Sequence, residues 1–237
     1  MANSTNYVVC LKYGTKYSAQ YVNTLYSMVE RNLTIPYKFI CYTEDSSGIL
    51  SHIETRPLPV LPNVTGWWFK PMFFNPHLGL NGTILFLDLD IIIFRNIDKL
   101  FSFNPGQFVI IRDFNRYVIK QYKKFNSSVF RLDTGQHSQV YYDFKTSPQH
   151  VMSRFAGDQD WIFDKIKEDF KYWPDEWIQS YKWEMRKRAP LNKNPRGARD
   201  FIEAGDPAIL DDTSIAVFHG EPCPHYCKDK WVNMHWK

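Results

Sequence analysis

An α/β fold with parallel strands is the class that this 237-residue sequence predicts. Three observations carry it. Residues 7–11 (YVVCL), 17–31 and 37–42 (YKFICY) read as strand, amphipathic helix and strand, a βαβ unit that makes its two strands parallel. Residues 84–94 (ILFLDLDIIIF) form an apolar run interrupted only by Asp88 and Asp90, the pattern of a strand buried on both faces. Residues 215–218 (IAVF) form a last apolar strand that leads directly into His219 and Gly220. In an open α/β sheet the carboxyl ends of such strands converge on one crevice.

Taken in order, the first strand ends in a polar turn at 12–16 that contains Gly14. No GxGxxG follows it, which excludes the usual dinucleotide fingerprint. Helix 17–31 places Tyr21, Val22, Leu25, Met28 and Val29 at helical spacing. Strand 37–42 ends at the polar stretch 43–48, and the Pro-rich residues 56–66 read as a loop. Residues 67–74 (WWFKPMFF) are apolar apart from Lys70. That ammonium either snorkels to water or reaches an anionic ligand near the carboxylates.

Beyond residue 94, residues 95–103 read as a short helix or turn, and 108–111 as a strand ending at Arg112 and Asp113. Residues 125–132 begin with small polar residues and continue as a strand, and 140–144 form a short helical piece. Gly157-Asp158-Gln159-Asp160 precedes a periodic helix at 161–170, where Asp158 is either a plain N-cap or a site residue. Residues 182–199 are strongly basic and hold Pro190, Pro195 and Gly197. They read as a loop that is either a solvated face or a surface for an anionic acceptor or a membrane. No repeat or low-complexity linker divides the chain, so one domain is expected over 1–237, with peripheral tails at 1–6 and 228–237.

The net charge of +4 permits anionic ligands without calling for nucleic acid. No segment reaches the roughly eighteen apolar residues that span a bilayer, and residues 1–6 lack the features of a signal peptide. Cys10 and Cys41 sit in apolar runs and read as buried thiols, and the low cysteine content suits a reducing compartment. A cytoplasmic location is therefore expected, with peripheral membrane contact as the variant of it. The Asn-x-Ser/Thr sequons then carry no further meaning.

Two carboxylates beside a buried strand are costly without a partner, a hydrogen-bond shell or a cation. On an ideal strand Asp88 and Asp90 point to opposite faces, so they share an ion only if the chain turns there or if one binds through water. They lie either in a solvated turn or at a divalent cation site, and oxygen ligands suit Mg2+ or Mn2+. His219, directly after a buried strand, would be a third ligand of such an ion. Together with Lys70 and Asp158-Gln159-Asp160, these residues suit a metal-bound diphosphate.

The order of these parts resembles the GT-A-fold glycosyltransferases, and is similar to glycogenin, the bacterial lipooligosaccharide galactosyltransferases and the capsid-glycosylating transferases of large algal viruses. Asp88-Leu89-Asp90 matches the family's Asp-x-Asp motif after a buried strand. Leu11, Tyr13, Gly14 and Tyr17 match the opening strand and turn that hold the uridine. Lys70 matches a lysine upstream of the motif, and Asn126-Ser127-Ser128 a small polar segment that lines the donor sugar. Asp158-Gln159 matches an Asp-Gln pair near the anomeric carbon, and residues 219–224 a late His-Gly segment. The resemblance spans about residues 7–226 and rests on six parts in the family's order.

What the resemblance implies is a Rossmann-like, mixed but mostly parallel central sheet flanked by helices. It further implies transfer of a sugar from a UDP-sugar donor to a hydroxyl of a glycan, lipid-linked or protein-linked acceptor, with Mn2+ or Mg2+ as the metal. Donor binding is then expected of Leu11, Tyr13, Gly14, Tyr17, Lys70, Asp88, Leu89, Asp90, Asn126, Ser127, His219 and Gly220. The metal is expected on Asp88, Asp90 and His219, and catalysis on Asp158, Gln159 and Lys70. Asp113, Asp158 or Asp160 would be the base of an inverting enzyme, whereas Gln159 would support a retaining one.

Two positions depart from the family pattern. Cys223 stands where relatives often carry a diphosphate-binding Lys or Arg, so that either Lys228 or Lys230 replaces that cation or the diphosphate is held less tightly. His225 stands where the glycogenin-like pattern has Trp. Three rival readings were a haloacid-dehalogenase-like phosphatase, a zinc site from His219, Cys223, His225 and Cys227, and an inactive module binding UDP-sugars or glycans. The phosphatase reading is weakened because a whole βαβ unit precedes Asp88.

Overall fold

In the computed structural model the structure describes residues 5–117, 119, 121–186 and 206–237. The chain begins with β1 (Thr5–Lys12), α1 (Ala19–Asn32) and β2 (Lys38–Thr43), the expected βαβ unit. Cys10 pairs in register with Cys41, and the strands are parallel. Both thiols are buried and free. A third strand, β3 (Glu54–Arg56), which the sequence does not signal, pairs with β2 and ends where the Pro-rich loop 56–66 begins. The aromatic stretch Gly66–Phe74 is a 3-10 helix. Next come β4 (Gly82–Leu87), β5 (Ile91–Ile93), α2 (Lys99–Ser102), β6 (Val109–Arg112) and β7 (Phe125–Asp133). The remaining elements are α3 (Gln139–Thr146), α4 (Pro148–Arg154), α5 (Asp158–Ile166), β8 (Lys171–Tyr172), β9 (Ile178–Ser180), a π-helical turn at Tyr181–Met185, β10 (Ile215–Val217) and α6 (Lys230–His235).

The main sheet has the order β3-β2-β1-β4-β7-β6-β8. Every pair is parallel except those made by β7, which is antiparallel to both of its neighbours. Along β1 the side chains alternate between two cores. Val8 and Cys10 pack with α1 on one face, and Tyr7, Val9 and Leu11 pack with the aromatic 3-10 helix, α3 and α5 on the other. Both faces are thus covered, which is why the strands read as continuous apolar runs.

The run 84–94 is two strands rather than one. The chain bends at Leu89 and Asp90, and β5 leaves the main sheet to join a second sheet of order β5-β10-β9. Two carboxylates in the middle of a doubly covered strand would have no solvent. The bend moves them to the sheet's carboxyl edge instead. The Asp90 carbonyl accepts the N–H of Phe218 at 3.0 Å, and the Asp88 N–H donates to the Ser128 carbonyl at 2.8 Å. The motif is therefore tied to both sheets.

Residues 228–237, expected as a peripheral tail, are part of the packing. Trp231 and Val232 of α6 are buried, and Trp231 stacks on Tyr181 with ring centroids 5.7 Å apart. At the other terminus, β1 already begins at Thr5, within the expected tail. Gly82 is needed at the start of β4 because it faces Thr5 in the register, with φ at +149°. A Cβ there would strike the Thr5 carbonyl oxygen and come within 2.8 Å of its nitrogen. Gly82→Ala should therefore lower the urea midpoint markedly, by several kcal/mol in unfolding free energy. An unchanged midpoint would show that the β1–β4 pairing relaxes freely.

Candidate active site

A cavity of about 290 Å³ opens where β1, β4, the start of β7, the start of α5 and the end of β10 meet. Its wall holds Leu11, Tyr13 and Tyr17 from the first turn, Lys70 from the 3-10 helix, and Asp88, Leu89 and Asp90 from the bend. Ser127, Asp158, Gln159, His219 and Gly220 complete the expected set on that wall. Two expected residues lie off it. Gly14 is exposed, with its N–H on the Glu44 carboxylate, and Asn126 is buried behind the wall, accepting the Ser128 N–H at 3.1 Å. Lys16 and Trp67, neither expected as a site residue, line the cavity too, Trp67 being 49% exposed there. Ser128 also lines it.

Lys70 does not snorkel to water but lies on the cavity wall beside the carboxylates. It is 5% exposed and bonds both Asp88 oxygens, at 2.9 and 3.0 Å. The same Nζ donates to the carbonyl and hydroxyl oxygens of Ser127 at 3.2 and 3.1 Å. Burial works against this ammonium, yet the charges of Asp88, Asp158 and Asp90 outweigh it and raise its pKa. Lys70 is thus a fixed buried cation across the floor of the cavity.

The carboxylates are held unequally. Asp90 accepts the Tyr17 hydroxyl at 2.8 Å. Burial first, and then the charge of Asp88, push the Asp90 pKa up to about 6, with the Tyr17 bond opposing. Asp158 is not the N-cap of α5, a position Gly157 occupies, but the first residue of the helix. Burial raises its pKa against the opposing charge of Lys70. Its Oδ2 is buried with no hydrogen-bond partner among the described residues. A buried carboxylate oxygen left open beside a cavity suits a donor from a ligand. Gln159 Nε2 donates to Asp113 Oδ2 at 3.4 Å, which brings Asp113 to the cavity's edge.

His219 lies on the wall between the rings of Phe114 and Trp183, with centroids 5.0 and 4.5 Å away. Its Nε2 is 2.5 Å from Ser180 Oγ. Burial, helped by the charges of Lys182 and Arg116, lowers its pKa to about 3, so the imidazole is neutral. Lys182 sits behind the segment and donates to the carbonyls of His219 at 2.5 Å and Glu221 at 2.6 Å. Burial lowers the Lys182 pKa to about 8, against the charges of Asp90, Cys223 and Glu221.

Several expectations are corrected at this end of the site. Lys228 and Lys230, the expected substitutes for a basic residue at 223, are exposed and do not line the cavity. Cys223 is buried, and His225 Nδ1 pairs with the Tyr21 hydroxyl. Among the described residues no three His, Cys, Asp or Glu gather as a ready metal cage, so neither the zinc set of His219, Cys223, His225 and Cys227 nor the three-ligand set of Asp88, Asp90 and His219 is preformed. Lys182 and Arg186, expected on a solvated basic loop, are buried, and Arg186 pairs with Asp229. Lys187, Arg188 and the rest of that stretch to residue 199 lie outside the described residues.

The residues present fit a divalent cation. Asp88 and Asp90 offer hard oxygen ligands, and burial first, then the charge of Asp88, raise the Asp90 pKa, a cost that a bound cation would relieve. Two protein carboxylates leave positions for ligand oxygens, as is usual for Mg2+ bound with phosphates. His219 contributes a ligand only if Nε2 leaves Ser180, or through its other nitrogen.

No protein-family model matches the chain, and no curated protein sequence matches it. Solved structures do. An active-site mutant of LgtC superposes with a TM-score of 0.67 at 12% identity, over 96% of this chain and 93% of that one. The galactosyltransferase LgtC in complex with donor and acceptor sugar analogs superposes with a TM-score of 0.64 at 12% identity, over 92% and 88%. The glycosyltransferase GlyE of Streptococcus pneumoniae TIGR4 gives 0.56 at 15% identity, over 76% of this chain and 48% of GlyE. The chain thus spans about half the length of GlyE. It has the GT-A fold, with the mixed, mostly parallel sheet expected. No helix among the described residues is long and apolar enough to cross a membrane.

Proposed function

We propose that this chain is a metal-dependent glycosyltransferase that moves a sugar from a UDP-sugar to a hydroxyl of a glycan, lipid-linked or protein-linked acceptor. The observation that carries this reading is the cavity itself. Asp88 and Asp90 at a sheet edge, a buried Lys70, the open Oδ2 of Asp158, Gln159 and the neutral His219 share one wall. The fold shared with glycosyltransferases supports it.

Asp88 and Asp90 would hold Mn2+ or Mg2+, which when bound supplies charge neutralisation at the leaving diphosphate. Lys70 holds Asp88 in place through both of its oxygens, so this ligand need not be reorganised during the reaction. Tyr17 does the same for Asp90 through its hydroxyl. Leu11 and Tyr13 form the side of the cavity that would take the uridine. Asp158 Oδ2, still without a donor, would accept a hydroxyl of the donor sugar. Asp113 holds the Gln159 amide in place, which would set its carbonyl toward the anomeric centre. Trp67, half exposed at the same cavity, offers an apolar face of the kind on which sugar rings stack.

The test is UDP release from a panel of UDP-sugars, with Mn2+ and again after chelation. Release from at least one donor, abolished by chelation and restored by Mn2+, is the expected result. Phosphate release from simple esters with no UDP release would move the reading to a phosphatase. Mn2+-dependent UDP binding without turnover, across donors and acceptors, would leave a sugar-nucleotide binding module.

A further inference from the structure

Resting on that reading, we propose that Lys182 is the cation that prepares the diphosphate position, acting from behind the wall through the turn His219-Gly220-Glu221. Lys182 belongs to the π-helical turn after β9, an element far in sequence from the turn it serves. It is buried, and it bonds two backbone carbonyls, those of His219 and Glu221. No carboxylate lies within ion-pairing distance of it among the described residues. A buried ammonium bonded to neutral carbonyls is not cancelled by an ion pair, so its charge is felt by an anion beyond the turn.

Geometry directs that charge at the cavity. A Cβ built on Gly220 would lie 3.7 Å from Lys182 Nζ, so the ammonium stands immediately behind a wall residue. In a trans peptide the C=O and the following N–H point in opposite directions. Pinning the His219 carbonyl to Lys182 therefore turns the Gly220 N–H away from the lysine. No acceptor for that N–H is found among the described residues. Gly220 has φ at +78°, a conformation that glycine adopts without strain. A free backbone N–H with a positive charge behind it is an anion seat, of the type that suits phosphate oxygens. Asp90, on the same wall, provides the neighbouring metal ligand position. Lys182 is thus a positioning residue for the diphosphate, in a chain whose residue 223 is a buried Cys.

The experiment compares affinities for UDP and for uridine, both with Mn2+, in the whole chain and in Lys182→Met, Lys182→Gln and Lys182→Arg. Lys182→Met is expected to weaken UDP by about ten- to a hundredfold while leaving uridine within about twofold. Lys182→Gln keeps a donor for the carbonyls without the charge. It is expected to lose UDP affinity in the same way, and it stands in should Lys182→Met not fold. Lys182→Arg should recover part of the loss. Equal losses for UDP and uridine would mean that the lysine only holds the turn, and unchanged UDP affinity would mean that its charge does not reach the diphosphate. Either result overturns the proposal alone. Failure of the wild-type chain to bind UDP would instead overturn the transferase reading on which it rests.

Discussion

Asp90→Asn is expected to lower metal-dependent donor turnover by about a hundred- to a thousandfold, while the metal-free chain melts no lower than the wild type. The side chain keeps its size and can still receive the Tyr17 hydroxyl, which bonds Asp90 at 2.8 Å. What it loses is one of two carboxylate charges at the sheet edge. With it goes one of the two carboxylates that would hold the cation, and UDP affinity should cease to respond to Mn2+. Stability moves the other way. Burial and the charge of Asp88 both oppose ionisation of Asp90, so its charge is held at a cost to the folded state. Removing it relieves repulsion in a region that function keeps strained. Calorimetric melting of the chelated proteins, beside UDP release with Mn2+, reads both effects. An active Asp90→Asn variant would remove Asp90 from the metal site.

Arg186→Met is expected to cost about 3–5 kcal/mol of unfolding free energy, which for a chain of this size lowers the melting temperature by roughly 6–20 °C. The guanidinium and the Asp229 carboxylate are 3% and 2% exposed, so water reaches neither. Asp229 also accepts the Tyr181 hydroxyl, and its backbone begins α6. Without Arg186 a buried carboxylate remains without its cation, and the junction of the π-helical turn with α6 loosens. Arg186→Met combined with Asp229→Leu should regain much of the loss, since an apolar pair replaces an ionic one at little cost. The competing expectation, that Arg186 binds an anionic acceptor from a solvated loop, calls for the opposite outcome. The acceptor Michaelis constant would rise with no change in melting.

The sequence by itself determined the local geometry and the candidate chemistry. Alternation and periodicity placed β1, α1 and β2, and the apolar runs placed β4, β7 and β10. A strand buried on both faces carries carboxylates only at a cost, so Asp88 and Asp90 stood out in the run 84–94, although only the structure showed that the chain bends there and β5 joins a second sheet. Twelve of the fourteen expected site residues line the cavity, and Gly14 and Asn126 stand beside and behind it. That correspondence follows from the fold rule that parallel strands open their carboxyl ends onto one crevice.

Only the tertiary structure decided which charge meets which. Periodicity carries no information about a partner far along the chain. Lys70 therefore read as snorkelling or ligand-binding, and only the fold shows it buried on Asp88 at the cavity wall. Arg131 read as an ordinary strand residue, although it is buried in β7 and donates to the carbonyls of Leu100, Phe101, Phe103, Asn104 and Gln107. Lys182 and Arg186 read as a basic surface, whereas both are buried, Lys182 on the His219 and Glu221 carbonyls and Arg186 on Asp229. A buried charge is tolerable only when distant residues converge on it, and that convergence is a property of the folded chain.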